Sequence, residues 1–446
     1  MTRARRGRAV AAVGAAVLAG TTLAACGSSD GRATLNVYIN PDAQATMAKL
    51  ADQCSTDKYK LEIQLLPSSA SDQRTQLARR LAARDSSTDL MSIDPVFVAE
   101  FASAGWLATL PEEYASKAVD DDVLKGPAES AQWDGKVVAF PQWANTQVTW
   151  YRKSLAEKAG LTYDDATQTL MKDGSPATWD DIIKAAADNG GTVGVQANKY
   201  EGYVVWINAL VMGAGGDIVS DTEAGTDAKV DIDSDAGKAA AQVVQTLADS
   251  KAAQPDLSVS NEGTSLGQMY PSGGAGEFMV NWTFVYKNYE GLIGQPGGPA
   301  NKAAFQDLGW ARYPATVSGE ESKPPIGGID IGVGAYSKHK DYAMAAAQCL
   351  TNTDAEVAMA TEAGLMPART SAYNSPELKK AFPASLLELF QNSVDTGGLR
   401  PQSAYYSKIS SAIQSRWHPP SSVSESSTPG NSASFLKDVL EGKALL

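Results

Sequence analysis

Histidine is nearly missing from this chain of 446 residues, which holds only His339 and His418, and cysteine is almost as scarce, with Cys26, Cys54 and Cys349. So few nitrogen and sulfur ligands exclude a zinc centre of the usual composition, and no residue pattern asks for another metal or a cofactor. There is no phosphate-cradling glycine loop, no nucleophile motif and no internal repeat. Beyond the N-terminus, no apolar run reaches the roughly 20 residues that a membrane-spanning helix needs. Positive charge is also in deficit: 38 Lys and Arg face 51 Asp and Glu, for a formal net charge of -13. So acidic a surface repels phosphate, which argues against nucleic acid or an anionic membrane as a direct partner and suits an uncharged ligand.

What is present describes an exported globular protein. Hydrophobic residues make up 43% and charged residues 20%, ordinary for a soluble domain, and the length calls for more than one lobe. Met1 to Arg8 is basic, Ala9 to Thr22 is small and apolar, and Leu23-Ala24-Ala25-Cys26 follows. That order is the order of an export signal, and its last four residues look like a bacterial lipobox. Residues 1–26 are therefore expected to be a signal peptide ending at a lipidated Cys26, and residues 27–33 a tether. The mature chain would sit on the extracytoplasmic face of the cell membrane. Two cysteines remain, and an even pair in an oxidising compartment favours a Cys54–Cys349 disulfide. Two separate buried thiols are the alternative.

Periodicity points to an α/β fold. Thr34 to Asn40 alternates as a strand, and a helix runs to Cys54. Leu61 to Leu66 is a second strand, Asp72 to Arg84 a basic amphipathic helix, and Leu90 to Asp94 a short apolar strand. Strand, helix, strand, helix, strand is a parallel unit. Lys136 to Arg152 then reads as a connection between lobes. Thr178 caps a helix, Val204 to Met212 is a buried helix, and Gly276 to Trp282 and Gly327 to Val333 are strands. Later helices are expected over Leu378 to Gln391 and Tyr405 to Arg416, with a Pro/Ser-rich loop over His418 to Ser432 before the last one. The chain thus visits one lobe, leaves and returns: residues 34–144 with 327–355 form an N-terminal lobe, and 145–326 with 356–446 a C-terminal lobe.

Several fragments, taken in order, carry a resemblance. They include Ile93-Asp94, Asn145-Thr146-Gln147 ahead of Trp150-Tyr151-Arg152, Glu201-Gly202, Glu262-Gly263, Val280-Asn281-Trp282 with Phe284-Val285, Ile326-Gly327-Gly328, Gly364 to Arg369, and Arg400-Pro401. Together with the lipobox they resemble the extracytoplasmic sugar-binding proteins of ABC importers, the maltose-binding-protein class. Within that class they resemble the trehalose-binding lipoproteins of actinobacterial importers. The resemblance implies a two-lobed periplasmic-binding-protein-like fold with a ligand cleft between hinged lobes. It also implies no enzymatic activity, a monomer, and delivery of a disaccharide to the permease subunits. Trehalose is the ligand implied, with another disaccharide or a maltodextrin as the alternative. Cysteines stand in the contexts of Cys54 and Cys349 in that family too.

Sugar chemistry fits the residues so marked. Hydroxyls want carboxylates, amides and guanidinium groups, and the C–H faces of the rings want flat aromatic surfaces. Asp94 ends a strand, where crevices in α/β sheets lie, although Asp is also a preferred helix cap. Asn145 stands at the expected crossing. Glu262 opens a helix, and Trp282 and Phe284 alternate along a strand, which puts them on one side. Gly328 lets backbone come close, and Arg400 can fork two hydroxyls. The resemblance assigns ligand contact to these seven positions, and Asn40, at the end of the first strand, joins them. Two rival functions remain open: a glycoside hydrolase using Asp94 and Glu262 as its carboxylate pair, and a surface lipoprotein that binds another protein. Asn281-Trp282-Thr283 is read as a coincidental glycosylation sequon.

Overall fold

The computed structural model describes residues 31–270 and 276–446. The expected signal peptide, lipidated Cys26 and most of the tether lie outside them. Among the described residues the main sheet has eight strands: β1 (Ala33–Ile39), β2 (Tyr59–Leu65), β3 (Leu90–Ile93), β4 (Ala139–Arg152), β5 (Thr192–Gly194), β6 (Gly276–Trp282), β7 (Leu308–Ala311) and β8 (Ile326–Val333). Their order is β5-β6-β4-β8-β3-β1-β2, with β7 pairing a further edge of β4.

The parallel unit read from the sequence is present: β1 pairs in parallel with β2 and with β3. The helices expected after β1 and β2 run over Gln44–Cys54 and Ala70–Ala82. The connection expected over Lys136 to Arg152 is, from Ala139 on, one continuous strand. In β4, residues 139–146 pair with β8 of the first lobe, and residues 147–152 pair with β6 and β7 of the second. One strand thus belongs to both lobes and forms a hinge at Thr146–Gln147.

Two of the apolar cores follow the same division. Leu35, Val37, Met47, Leu50, Ile331 and Met344 share one core with their neighbours. Trp179, Trp206, Ile207, Val244 and Ile413 share another. The helix Thr353–Ala363 spans the expected boundary at residues 355 and 356, and its Ala355 and Met359 pack in the first core. Beyond it the Gly364–Arg369 segment passes along the hinge. Met366 accepts a hydrogen bond from Ala144 N at 2.9 Å, and Arg369 clamps Asp120 at 2.8 and 2.9 Å.

Two expected helices change bounds. The stretch over Leu378 to Gln391 splits into Pro376–Ala381 and Ala384–Thr396, because Pro383 cannot continue a helix that precedes it. The last helix begins at Thr428, inside the expected loop, since Pro429 is tolerated in a first helical turn. Thr178 does cap its helix, in a reciprocal capping box with Asp181.

Cys54 and Cys349 are disulfide-bonded, with Cα atoms 5.8 Å apart and 295 residues between them in sequence. The bridge ties the helix after β1 to the helix Lys340–Leu350. The paired substitution Cys54→Ser with Cys349→Ser is expected to lower unfolding stability by about 2–5 kcal/mol. A matching fall in Tm on reduction of the wild-type chain checks it, with no further fall in the double variant.

Candidate functional site

The sheet delivers side chains into the gap between the lobes by a repeated device. β1 and β3 each end at a polar residue followed by proline: Asn40-Pro41 and Asp94-Pro95. The residue before a proline is driven to extended backbone, and the proline then opens a short 3-10 turn. Asn40 and Asp94 are therefore set at the carboxyl ends of neighbouring strands, where crevices form in such sheets. On the other side β6 ends at Trp282, and the helix Glu262–Met269 begins at Glu262 behind an Asn261 cap.

These residues meet around a cavity of about 620 Å³, within the roughly 300–1,000 Å³ typical of small-molecule sites. Asn40, Asp94, Asn145, Glu262, Trp282, Phe284, Gly328 and Arg400, the positions marked in the sequence, all line it. One argument for them fails. Phe284 is not on the strand with Trp282: β6 stops at Trp282, and Phe284 has helical backbone angles as the cap of the helix Val285–Gly291. It reaches the cavity because the chain turns there, not because it alternates.

Each polar group has a defined setting. Arg400, only 2% exposed, donates from Nη2 to Asp94 Oδ1 at 2.9 Å and from Nη1 to Glu201 Oε1 at 2.7 Å. Asp94 Oδ1 also accepts from Val96 N at 3.4 Å, so the cap role and the cleft role coexist. Asn145 Oδ1 accepts from Thr283 Oγ1 at 3.2 Å and from Met366 N at 3.3 Å. Asn40 donates to Asp42 at 2.8 Å, while its buried Oδ1 has no partner among the described residues. A buried acceptor without a partner is costly, and here it borders the cavity.

Glu262 accepts from the Tyr200 hydroxyl at 2.9 Å. Burial pushes its carboxyl above the ordinary range, and the hydrogen bonds from Tyr200 and Trp282 pull it back in part. Burial raises Asp42 as well, against the Asn40 hydrogen bond. Gly328 has φ +143°, and a Cβ there would stand 2.2 Å from Trp143 O, so only glycine fits. A Cβ on Gly327 would meet the Trp282 ring at 2.9 Å, so this glycine makes room for the indole. Asn281, the sequon residue, is buried and donates to Glu262 O at 3.0 Å.

Sequence reasoning missed Asp42, Trp143, Tyr200, Glu201 and Lys287, which also line the cavity. Glu201 had a signal, as the lone acid of an otherwise apolar helix, Glu201–Met212. Among the described residues no cluster of metal-ligating side chains occurs, and no helix is long and apolar enough to cross a membrane.

Fold and cleft together define a two-lobed α/β protein of the periplasmic-binding type. Residues 49–384 match the family described as bacterial extracellular solute-binding protein, and the chain belongs to it. A probable ABC transporter-binding protein of Deinococcus radiodurans is 26% identical over 325 residues, 69% of each chain. Among solved structures, maltose-bound MalE3 of T. maritima superposes with a TM-score of 0.75 at 23% identity, over 92% of this chain and 100% of that one. The GacH receptor of Streptomyces glaucescens, solved unliganded and with acarbose, gives 0.71 at 23% identity, over 92% and 98%. These relatives are binding proteins rather than enzymes.

Proposed function

We propose that this chain is the lipid-anchored, extracytoplasmic binding component of an ABC importer, and that it closes its two lobes on an uncharged disaccharide, trehalose foremost. The lobes are residues 34–144 with 327–355, and 145–326 with 356–446, the helix Thr353–Ala363 lying across the boundary with Ala355 and Met359 in the first core and Ala360 in another. The observation that supports the reading is the convergence on one cavity of eight residues from distant stretches of sequence, seven of them marked by the family resemblance. The lining offers carboxylates, amides and a guanidinium for hydroxyls, and Trp143, Trp282 and Phe284 for ring faces. Asp42, Asp94, Glu201, Glu262 and Glu362 outnumber Lys287 and Arg400 there, which disfavours an anionic ligand. Ligand between the lobes would stabilise the closed form, which the permease subunits then read. Maltose and acarbose, the ligands named for two of the structural neighbours, are α-linked sugars, whereas others are named for mannitol, ribitol or tagatose.

Calorimetric titration with trehalose and maltose tests this. Saturable binding is expected, tighter for trehalose, with a rise in Tm as ligand loads the native state and no glucose released on long incubation. Trp282→Ala should weaken binding about 30- to 1,000-fold, since losing the roughly 80–160 Å² that one stacked ring face covers costs about 2–4 kcal/mol. Cleavage of the disaccharide would favour the hydrolase instead. Absence of any sugar-dependent shift would sink the reading.

A further inference from the structure

We propose that Glu201 is the positioning residue of the cleft: its carboxylate holds the two tail side chains, Arg400 and Tyr406, that reach the first lobe, and so sets how firmly the lobes grip ligand. The inference rests on the sugar-binding reading for its affinity readout only.

The geometry is specific. Glu201 Oε1 accepts from Arg400 Nη1 at 2.7 Å and from the Tyr406 hydroxyl, and Oε2 accepts from Ser410 Oγ at 2.6 Å. Both carboxylate oxygens are therefore used by one stretch of tail, residues 400–410. That tail is shared between the lobes. Tyr406 packs edge-on against Phe97, ring centroids 5.8 Å apart, within a first-lobe cluster. Ile409, Ala412 and Ile413 of the same helix (Tyr406–Trp417) belong to the second-lobe core. Arg400 spans the gap in the same sense, with Glu201 of the second lobe on Nη1 and Asp94 of the first on Nη2. Arg400 and Tyr406, the tail side chains that meet Asp94 and Phe97 of the first lobe, are thus both held by Glu201.

A first-turn acid suits the helix dipole, but a solvated one would do that without the cost of burial. The helix it opens is apolar and buried, and a carboxylate taken out of water is expensive unless its partners are well placed. An apolar side chain would pack there without that penalty, but it could not orient a guanidinium. The planar fork of Arg400 can serve two carboxylates at fixed angles, and Glu201 determines which way the fork faces. Asp94 keeps its own support from Val96 N, so loss of Glu201 frees Arg400 without unfolding the strand end at Asp94.

The experiment is a double-mutant cycle on the full chain with trehalose as probe, using Glu201→Gln, Asp94→Asn and the pair, together with hydrogen exchange on the ligand-free proteins. Glu201→Gln keeps the shape and removes the charge. It is expected to weaken binding about 10- to 100-fold, and the pair should lose little more than Asp94→Asn alone, because both act through Arg400. In the absence of sugar, Glu201→Gln should speed exchange over residues 94–101 and 400–408 while the core helix at residues 235–249 stays protected. Tyr406→Phe, which removes one hydroxyl, should give the same pattern more weakly and serves if Glu201→Gln does not fold. Additive losses in the cycle, or unchanged exchange at residues 94–101 in both variants, overturn the inference. If the wild type binds no sugar, the functional reading fails alone, and the exchange result still decides the role of Glu201.

Discussion

Arg400→Ala is expected to abolish measurable ligand binding and to lower Tm by about 3–6 °C. Arg400 is enclosed, and its guanidinium compensates Glu201, which is buried, and Asp94, which is partly so. Removing one member of a buried charge cluster leaves the others unpaired, at a cost of about 3–5 kcal/mol. With an unfolding entropy near 2.1 cal/mol/K per residue, a chain of this size loses about 1 °C per kcal/mol. Burial alone would push Arg400 towards losing its charge, but Asp94, Tyr406 and Glu201 hold it well above its usual range. It is therefore a fixed cation at any working pH. Arg400→Lys separates the two effects. It keeps the charge but not the fork, so it should recover most of the stability and little of the affinity. Differential scanning calorimetry and titration on the three proteins check this. A variant Arg400→Ala that melts and binds like the wild type would refute the assignment of the cleft.

The parts of this molecule that could be read from sequence are those where one local rule decides. Alternation in Thr34 to Ile39 and the apolar run Leu90 to Ile93 give the first-lobe strands, and Thr178 with Asp181 gives a helix start. Asp94 and Asn40 were legible because each ends a strand, and the following proline fixes that end. What was not legible depends on tertiary placement. No local feature says that residues 139–152 form one strand serving two lobes, since the pairing partners lie more than a hundred residues away. Phe284 lines the cavity, but not for the reason the sequence offered, as strand alternation cannot foresee the turn after Trp282. Glu201 and Asp42 escaped notice because an acid in a first helical turn is ordinarily solvated. Only the fold reveals that Arg400 is brought to Glu201 from 199 residues away.

Asp330→Asn is expected to stabilise the protein at pH 7–8 and to have no such effect below pH 4. Asp330 lies on β8, opposite Ile93 in the ladder and 2% exposed. Burial pushes its carboxyl up to about 8, the nearby charge of Asp94 adds to the rise, and the Ser130 hydroxyl, donating at 3.0 Å, opposes it. An unfolded Asp titrates near 4. Below that, both states carry the proton and no stability is lost. Between about 4 and 8 the unfolded chain ionises while the folded one keeps its proton, so stability drains away as pH rises. Each unit of pH is worth about 1.4 kcal/mol, which sets a ceiling near 4 kcal/mol at pH 7. An amide cannot ionise and escapes that loss, though its second N–H needs an acceptor, so the gain should be about 2–4 kcal/mol. Melting curves of both proteins at pH 4, 6 and 8 should diverge steadily. Parallel curves, or a variant less stable at pH 8, would place the proton elsewhere. Asp330 also feels the charge of Asp94, so ionising it at high pH would set its carboxylate against the residue that ends β3 beside the cleft.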